Sequence, residues 1–456
     1  MSTRKFGIQS LICLFSIALF AQTARNKPAP TSAQPPAQAV ALRGGKLLTI
    51  THGVIENGTI VMQNGKITAV GPAASVSIPR GARVIDAAGM TVYPGLIDSE
   101  THIGLVEIDL DKATNDTVET SDEIMPHMHV YDAFHAESEV IPVTRFNGVT
   151  NAIVAPDSKD SVPGQDTFIQ LDGRTAEEMF LVRDNALPVN FIPDVRRNES
   201  FETAKFPQTR MGVAAQLRQA FVDTQDYVRK WRDYEEKKTK KPNESSEKKD
   251  EKKDKDKDEP PKHDLKLEAL VPYVEGKKPV VLAANEPSDV QTALRLAREF
   301  NLKIVLNRLT HTGTILDQVA AAKVPAIVGP IYETPKADSR YDEVFRLPAE
   351  LFKRGVKIAF ASYDTHQSRN LPYAAGYAVA FGLPYEEALK AITLNAAEIW
   401  GVADRLGSLD VGKTANVVVA NGDPLDVKTD VKRVFIAGRE IPMENRQTKL
   451  RDEYSK

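Results

Sequence analysis

The sequence predicts an α/β fold: a parallel sheet covered by helices, bracketed by a β unit that the two chain ends share. Three patterns predict it. From residue 92 onward, short apolar runs at Val149–Ala155, Val280–Ala284, Lys303–Leu306, Ala326–Gly329 and Lys357–Ser362 are spaced by helical segments such as Val290–Phe300 and Thr314–Ala322. Strands alternating with helices place a helix over each step of a parallel sheet. Before residue 92, from Leu47 to Asp86, β-type runs alternate with turn residues, and Asn416–Ala420 and Val431–Ile436 return to β patterning near the end. β segments at both ends of an α/β chain predict that the two halves pair into one subdomain.

The N-terminus reads as an export signal. Arg4 and Lys5 precede an apolar run from Ile8 to Ala21, and small and polar residues follow. The run is short for a membrane span. Cleavage after Ala21 removes the two basic residues and takes the formal charge from -3 to -5. It also removes Cys13, the chain's single cysteine. A mature chain without a thiol has neither disulfides nor thiol catalysis. Export to a bacterial periplasm, with no stable membrane insertion once the signal is cleaved, is the expected location. Residues 22–41 are rich in Pro, Ala, Gln and Thr and read as a disordered linker.

Residues 42–91 form the first half of the β unit. Asn57-Gly58 and Asn64-Gly65 are hairpin signals, because both positions of such a turn favour positive φ. The α/β region spans 92–404, and 405–445 complete the β unit, leaving 446–456 as a C-terminal tail. Met211–Trp231 has the periodicity of a long helix, with Thr209 as its N-cap. After it, residues 235–262 are dominated by Lys, Glu, Asp and Ser, too polar to offset the entropy of ordering, and read as a disordered charged insertion. The small net charge gives no reason to expect nucleic acid. No phosphate-binding loop, nucleophile elbow, zinc-finger spacing or internal repeat is present.

The stretch Val92-Tyr93-Pro94-Gly95-Leu96-Ile97-Asp98-Ser99-Glu100-Thr101-His102 carries the most chemistry. Alternate strand residues share a side, so Glu100 and His102 face the same way. A carboxylate and an imidazole so placed are plausible ligands for a divalent metal. The plainer alternative is a hydrogen-bonded polar pair at a strand end. The stretch resembles the first barrel strand of the amidohydrolase superfamily, whose usual form is P-G-L-I-D-x-H-x-H; Glu100 stands where the first metal-binding histidine belongs. The resemblance extends through Gly65-Lys66-Ile67, Val84-Ile85-Asp86-Ala87, Thr393-Leu394-Asn395-Ala396-Ala397 and Gly412-Lys413-Thr414-Ala415-Asn416, with Asn416 where the family usually has Asp. Gly148-Val149-Thr150, Thr209-Arg210-Met211-Gly212 and Asn370-Leu371-Pro372 look like the exported imidazolonepropionase-like branch.

The resemblance implies a (β/α)8 TIM-like barrel with a small β-sandwich built from both chain ends. It also implies hydrolysis of non-peptide C–N bonds in cyclic or linear amides with a divalent metal, zinc first. Carried over residue by residue, the fifth-strand histidine becomes Ala283 and the sixth-strand histidine becomes Asn307 or Arg308. Met179–Asp194 offers no bridging lysine, and the eighth-strand catalytic aspartate is Asp364. Three readings follow. A reduced mononuclear site would use Glu100, His102 and Asp364, with His311 and His366 able to add nitrogen donors and Asp364 as general base. A metal-free pseudoenzyme would bind a small molecule, with Arg308 as an anion anchor, or support a catalytic paralogue. A structural plug would merely pair these charges. Arg210 either binds a substrate carboxylate or fixes its loop. His127, His129 and His135 read as loop residues. A small-molecule ligand is expected, and a homo-oligomer or paralogous partner is compatible with the sequence.

Overall fold

The computed structural model describes residues 38–119, 121–191, 206–207, 209–240, 259–335 and 339–455. The expected signal, nearly all of the linker and most of the charged insertion lie outside these residues.

Both chain ends contribute to one eight-stranded mixed sheet. Its strands are β1 (Val40–Leu48), β2 (Val54–Gln63), β3 (Lys66–Pro72), β4 (Arg83–Asp86) and β5 (Thr91–Pro94) from the N-terminal part. From the C-terminal part come β15 (Val417–Ala420), β16 (Val431–Ile436) and β17 (Arg439–Ile441). β5 is the seam: it pairs parallel with β1 and antiparallel with β15, Val92 opposite Val419. Leu42, Leu47, Ile60, Val92, Val417 and Phe435 fill the core beneath it. The sheet begins at Val40, two residues inside the expected linker.

Asn64-Gly65 forms the expected β2–β3 hairpin, with φ of 51° and 76°. Asn57-Gly58 does not turn; it lies within β2. The glycine is needed there for closeness instead. A Cβ on Gly58 would sit 2.3 Å from Leu47 Cγ, where β1 shifts register against β2.

The α/β region opens with β6 (Leu96–Thr101) and β7 (Val149–Val154), which are parallel. β10 (Leu187–Asn190), β11 (Val280–Ala283), β12 (Ile304–Leu309), β13 (Ala326–Val328) and β14 (Ile358–Phe360) form a five-stranded, wholly parallel sheet. These strands are almost completely buried, as strands covered by helices must be. The alternation is broken once: β8 (Thr167–Gln170) and β9 (Phe180–Val182) run antiparallel to their neighbours, β8 against β7 and β9 against β8. Bonds from Tyr363 N–H to Glu100 O and from Ser362 N–H to Asp98 Oδ1 bring the end of β14 beside β6, and Ile97 N–H bonds Ile392 O at the end of the helix Tyr385–Ala391.

The long helix runs Arg210–Lys240, so residues 235–240, expected in the charged insertion, continue it. Val213, Leu217, Phe221 and Tyr227 form its buried stripe, and Phe221 packs on Phe300 with ring centroids 5.3 Å apart. Arg210 ties this helix to the one at Pro287–Glu299, Nε lying 2.7 Å from Asp289 Oδ1. That pair suits the expected role of fixing its loop, and Arg210 is not among the residues that line the cavity at the strand ends. The tail forms a helix over Arg446–Tyr454, started by an Asn445–Thr448 capping box. Among the described residues, no helix is long and apolar enough to cross a membrane.

Candidate functional site

The parallel strands end on a polar cavity of about 100 Å³. Asn190 at the end of β10, Ala283 and Asn285 at and after β11, Arg308 and Thr310 at and after β12, and Pro330 after β13 line it with Ser158 and Glu333. Carboxyl ends of parallel strands are where such folds place their ligands.

Arg308 organises the site. Its Nη2 lies 2.9 Å from Glu100 Oε1, and its guanidinium carbon lies 4.5 Å from the Tyr363 ring centroid. Asn307 Nδ2 donates to the other oxygen of Glu100. Tyr363 Oη donates to Asn307 Oδ1 at 2.7 Å, and the Arg308 backbone N–H reaches the same oxygen at 2.9 Å. Burial, then the Glu100 carboxylate, drives the Tyr363 pKa well up, which keeps its hydroxyl a donor. Glu100 is therefore closed on both oxygens by one cation and one amide.

The backbone is strained to achieve this. Arg308 and Tyr363 both adopt left-handed conformations, with φ of 57° and 55°. Each costs on the order of 1 kcal/mol and persists only where the surroundings enforce it. β12 also shifts register against β13 between Leu306 and Leu309. Gly329 makes room for the ring, since a Cβ there would stand 3.0 Å from Tyr363 Cε2.

The remaining expected site residues divide. His102 is buried, and its Nδ1 lies 2.8 Å from Ala155 O. If Nδ1 donates there, Nε2 carries the free lone pair, the tautomer a metal-ligating histidine uses. Asp364 Oδ1 accepts the backbone N–H groups of His366 and Gln367, so this carboxylate caps a turn. His366 is exposed, and His311 Nδ1 lies 3.6 Å from Glu343, on a covering helix. His129 Nδ1 lies 2.7 Å from Asp184, away from the cavity.

Three residues of the site were not singled out from the sequence. Asp98 is wholly buried and accepts hydrogen bonds from Ser362 N–H at 2.9 Å, Ser368 Oγ at 2.7 Å and Glu100 N–H at 3.3 Å. It shares strand parity with Glu100 and His102, which was a usable signal. Thr310 lies two residues beyond Arg308 and is 1 % exposed. Asp157 lies near His102 and Arg308; although burial opposes ionisation, His102, Lys159 and Arg308 hold its carboxyl below the usual range.

Burial raises Asp98 from its ordinary value of 3.8 to about 6, with the hydrogen bonds from Ser362, Ser368 and Glu100 opposing. The folded state thus binds this proton more tightly than the unfolded chain. Its contribution to stability is complete below the unfolded value and lost as pH rises through about 6. The gap corresponds to roughly 3 kcal/mol. Asp98→Asn is expected to flatten the loss of stability between those two pH values, read from urea midpoints measured across the window.

A catalytic zinc takes three protein ligands and an open position. Here Glu100 is occupied, Asp364 is turned into a backbone cap, and Ala283 cannot ligate. The guanidinium puts a fixed positive charge against the carboxylate a dication would need. Among the described residues, no three His, Cys, Asp or Glu side chains are grouped to hold a metal. The expected ligand set Glu100, His102 and Asp364 is thus not assembled, and the residues present do not fit the divalent metal that the resemblance implies.

Comparison with known proteins supplies the ancestry. Residues 280–441 match the model of the amidohydrolase family. The chain is 25% identical to amidohydrolase tasK of Hapsidospora irregularis over 404 residues, 84% of this chain but 39% of that protein. It is 49% identical to imidazolonepropionase of Geobacillus kaustophilus over 57 residues, 11% of this chain and 13% of the enzyme. The chain thus spans only a minor part of these curated relatives. Among solved structures, the amidohydrolase from Thermotoga maritima MSB8 superposes with a TM-score of 0.77 at 29% identity, covering 89% of this chain and 100% of that one. With the parallel sheet and the seam between the chain ends, the family domain at residues 280–441 and these matches support membership of the amidohydrolase superfamily.

Proposed function

We propose that this chain uses the amidohydrolase scaffold as a metal-independent small-molecule pocket, with Arg308 as the fixed charge at its centre. The observation that carries this reading is the Glu100–Arg308 pair, at 2.9 Å, in place of ligands turned toward a common point. A guanidinium cannot be deprotonated at working pH, so the charge is permanent. The finer fold reading, eight strands closed into a barrel beside a β-sandwich, belongs to the same proposal. It is supported by the bonds that lay β14 beside β6. Export to the periplasm and a homo-oligomeric or paralogous partner remain part of it as expectations from the sequence.

The second reading is hydrolysis of non-peptide C–N bonds at a mononuclear metal. One observation favours it: the Nδ1 contact of His102 suits the ligand tautomer. The similarity to proteins named as amidohydrolases supports it as well. Metal analysis of protein purified without chelators separates the two. The metal-independent reading expects well under one equivalent of Zn, Mn or Fe per chain and no thermal shift on adding zinc. About one equivalent, lost in His102→Ala, would establish the hydrolase reading instead.

A further inference from the structure

We infer that the open groove between the helix Leu371–Ala380 and the turn at 423–427 docks an extended, proline-rich peptide segment bearing lysine or arginine, held by the rings of Tyr332 and Tyr377 and the carboxylates of Asp423 and Asp426. The groove shares no lining residue with the cavity at the strand ends, so the inference stands apart from the metal-independent reading.

None of the ten residues of Leu371–Ala380 is charged. A helix apolar all round is normally covered on every side. Here Tyr373, Tyr377 and Ala380, at i, i+4 and i+7, share a face that lines a groove of about 870 Å³. Tyr332 and Tyr377 are each 47 % exposed, so their rings are open to a ligand. They meet at 82° with centroids 5.9 Å apart. Phe345 stacks on Tyr377, and Phe381 on Phe345, with centroids 5.5 and 5.1 Å apart. That column holds the Tyr377 ring, so little rotamer freedom is lost on binding. The opposite wall is preformed too. A Cβ on Gly376 would stand 2.7 Å from Leu425 O, because the turn packs directly on the helix. Leu425 N–H to Asp423 Oδ1 and Lys428 N–H to Asp426 Oδ1, both 2.9 Å, fix the turn's shape.

Shape and charge name the occupant. Tyr373 and Ala380 are roughly 10 Å apart along the helix axis. That is the length of about three residues of polyproline II. Such a segment is already extended and makes no internal hydrogen bonds, so an aromatic groove docks it at low entropic cost. The groove is lined by two carboxylates and by no lysine or arginine; Arg369 and Lys428 adjoin it in sequence without lining it. Protein donors engage Oδ1 of Asp423 and of Asp426, and Oδ2 of each is left for a cation. A basic side chain on the peptide meets those oxygens or a tyrosine face, whereas an acidic one meets repulsion.

The test is fluorescence anisotropy of the full chain with a labelled nonapeptide of repeating Lys-Pro-Pro, compared with repeating Lys-Ala-Ala and Glu-Pro-Pro. Lys-Pro-Pro is expected to bind saturably and more weakly as salt rises, and the other two at least about tenfold less tightly. Tyr377→Ala is expected to weaken Lys-Pro-Pro binding about tenfold. Asp423→Asn with Asp426→Asn keeps the Oδ1 acceptors that shape the turn and removes both charges. It is expected to weaken binding about fivefold and flatten the salt dependence, which keeps the test decisive if Tyr377→Ala misfolds. No binding of Lys-Pro-Pro, equal binding of Lys-Ala-Ala, or binding unchanged in the Asn pair would overturn the inference. Sedimentation of the parent as a dimer that Tyr377→Ala splits would place a second copy in the groove and overturn it as well.

Discussion

Arg308→Met will destabilise the protein by about 3 kcal/mol, read as a lower urea midpoint at unchanged slope. Methionine keeps most of the apolar stem and deletes the charge. Glu100, 6 % exposed, is then left with the Asn307 amide as its remaining side-chain partner. Taking one partner from a buried ion pair leaves an uncompensated charge, which costs far more than the pair contributes. Glu100→Gln combined with Arg308→Met removes both charges and is expected to recover most of the loss. A double-mutant cycle measures that coupling. If Arg308→Met is as stable as the parent, Glu100 is not held by this pair and the metal-independent reading loses its main support.

Phe435→Ala will cost about 3–5 kcal/mol, the usual range for emptying an aromatic site in a packed core. Phe435 is wholly buried on β16, beside Leu42, Ile60 and Val92 from the other end of the chain. The cavity therefore opens between two halves joined by packing and strand pairing, with little means to collapse. Val427→Ala, at a position 70 % exposed, serves as control and is expected to change stability by less than about 0.5 kcal/mol. Equal effects from the two substitutions would mean that the shared sheet contributes little to global stability.

The fold was legible wherever periodicity was strong. Val431–Ile436 forms a strand with the expected bounds, and the Val290–Phe300 segment lies almost entirely within a helix. Pairing of the chain ends followed from two β patterns flanking one α/β region. Asn57-Gly58 misled because a glycine that admits Leu47 at a bulge looks the same in sequence as one that turns a hairpin. The β8–β9 excursion was missed because its strands are too short to show a period.

Candidate site identities were also legible, but their roles were not. Glu100 on a strand beside His102 suits a metal as well as it suits an arginine. The choice is set by the left-handed backbone at Arg308, which aims the guanidinium at Glu100, and no residue pattern announces that conformation. Asp364 reads from the sequence as a general base, and nothing in the residue pattern announces that its Oδ1 accepts two backbone N–H groups of the turn that follows.

The seam at β5 has a consequence for how the molecule is made. One side of that strand can be covered by β1 as soon as the first hundred residues emerge; the other waits for Val417–Ala420. Until then a growing or truncated polypeptide carries an unpaired apolar border, able to capture any extended segment it meets. Chains that stop short of Val417 should accumulate as aggregates and demand holding by chaperones, whereas cuts after Ile441 should leave a soluble product.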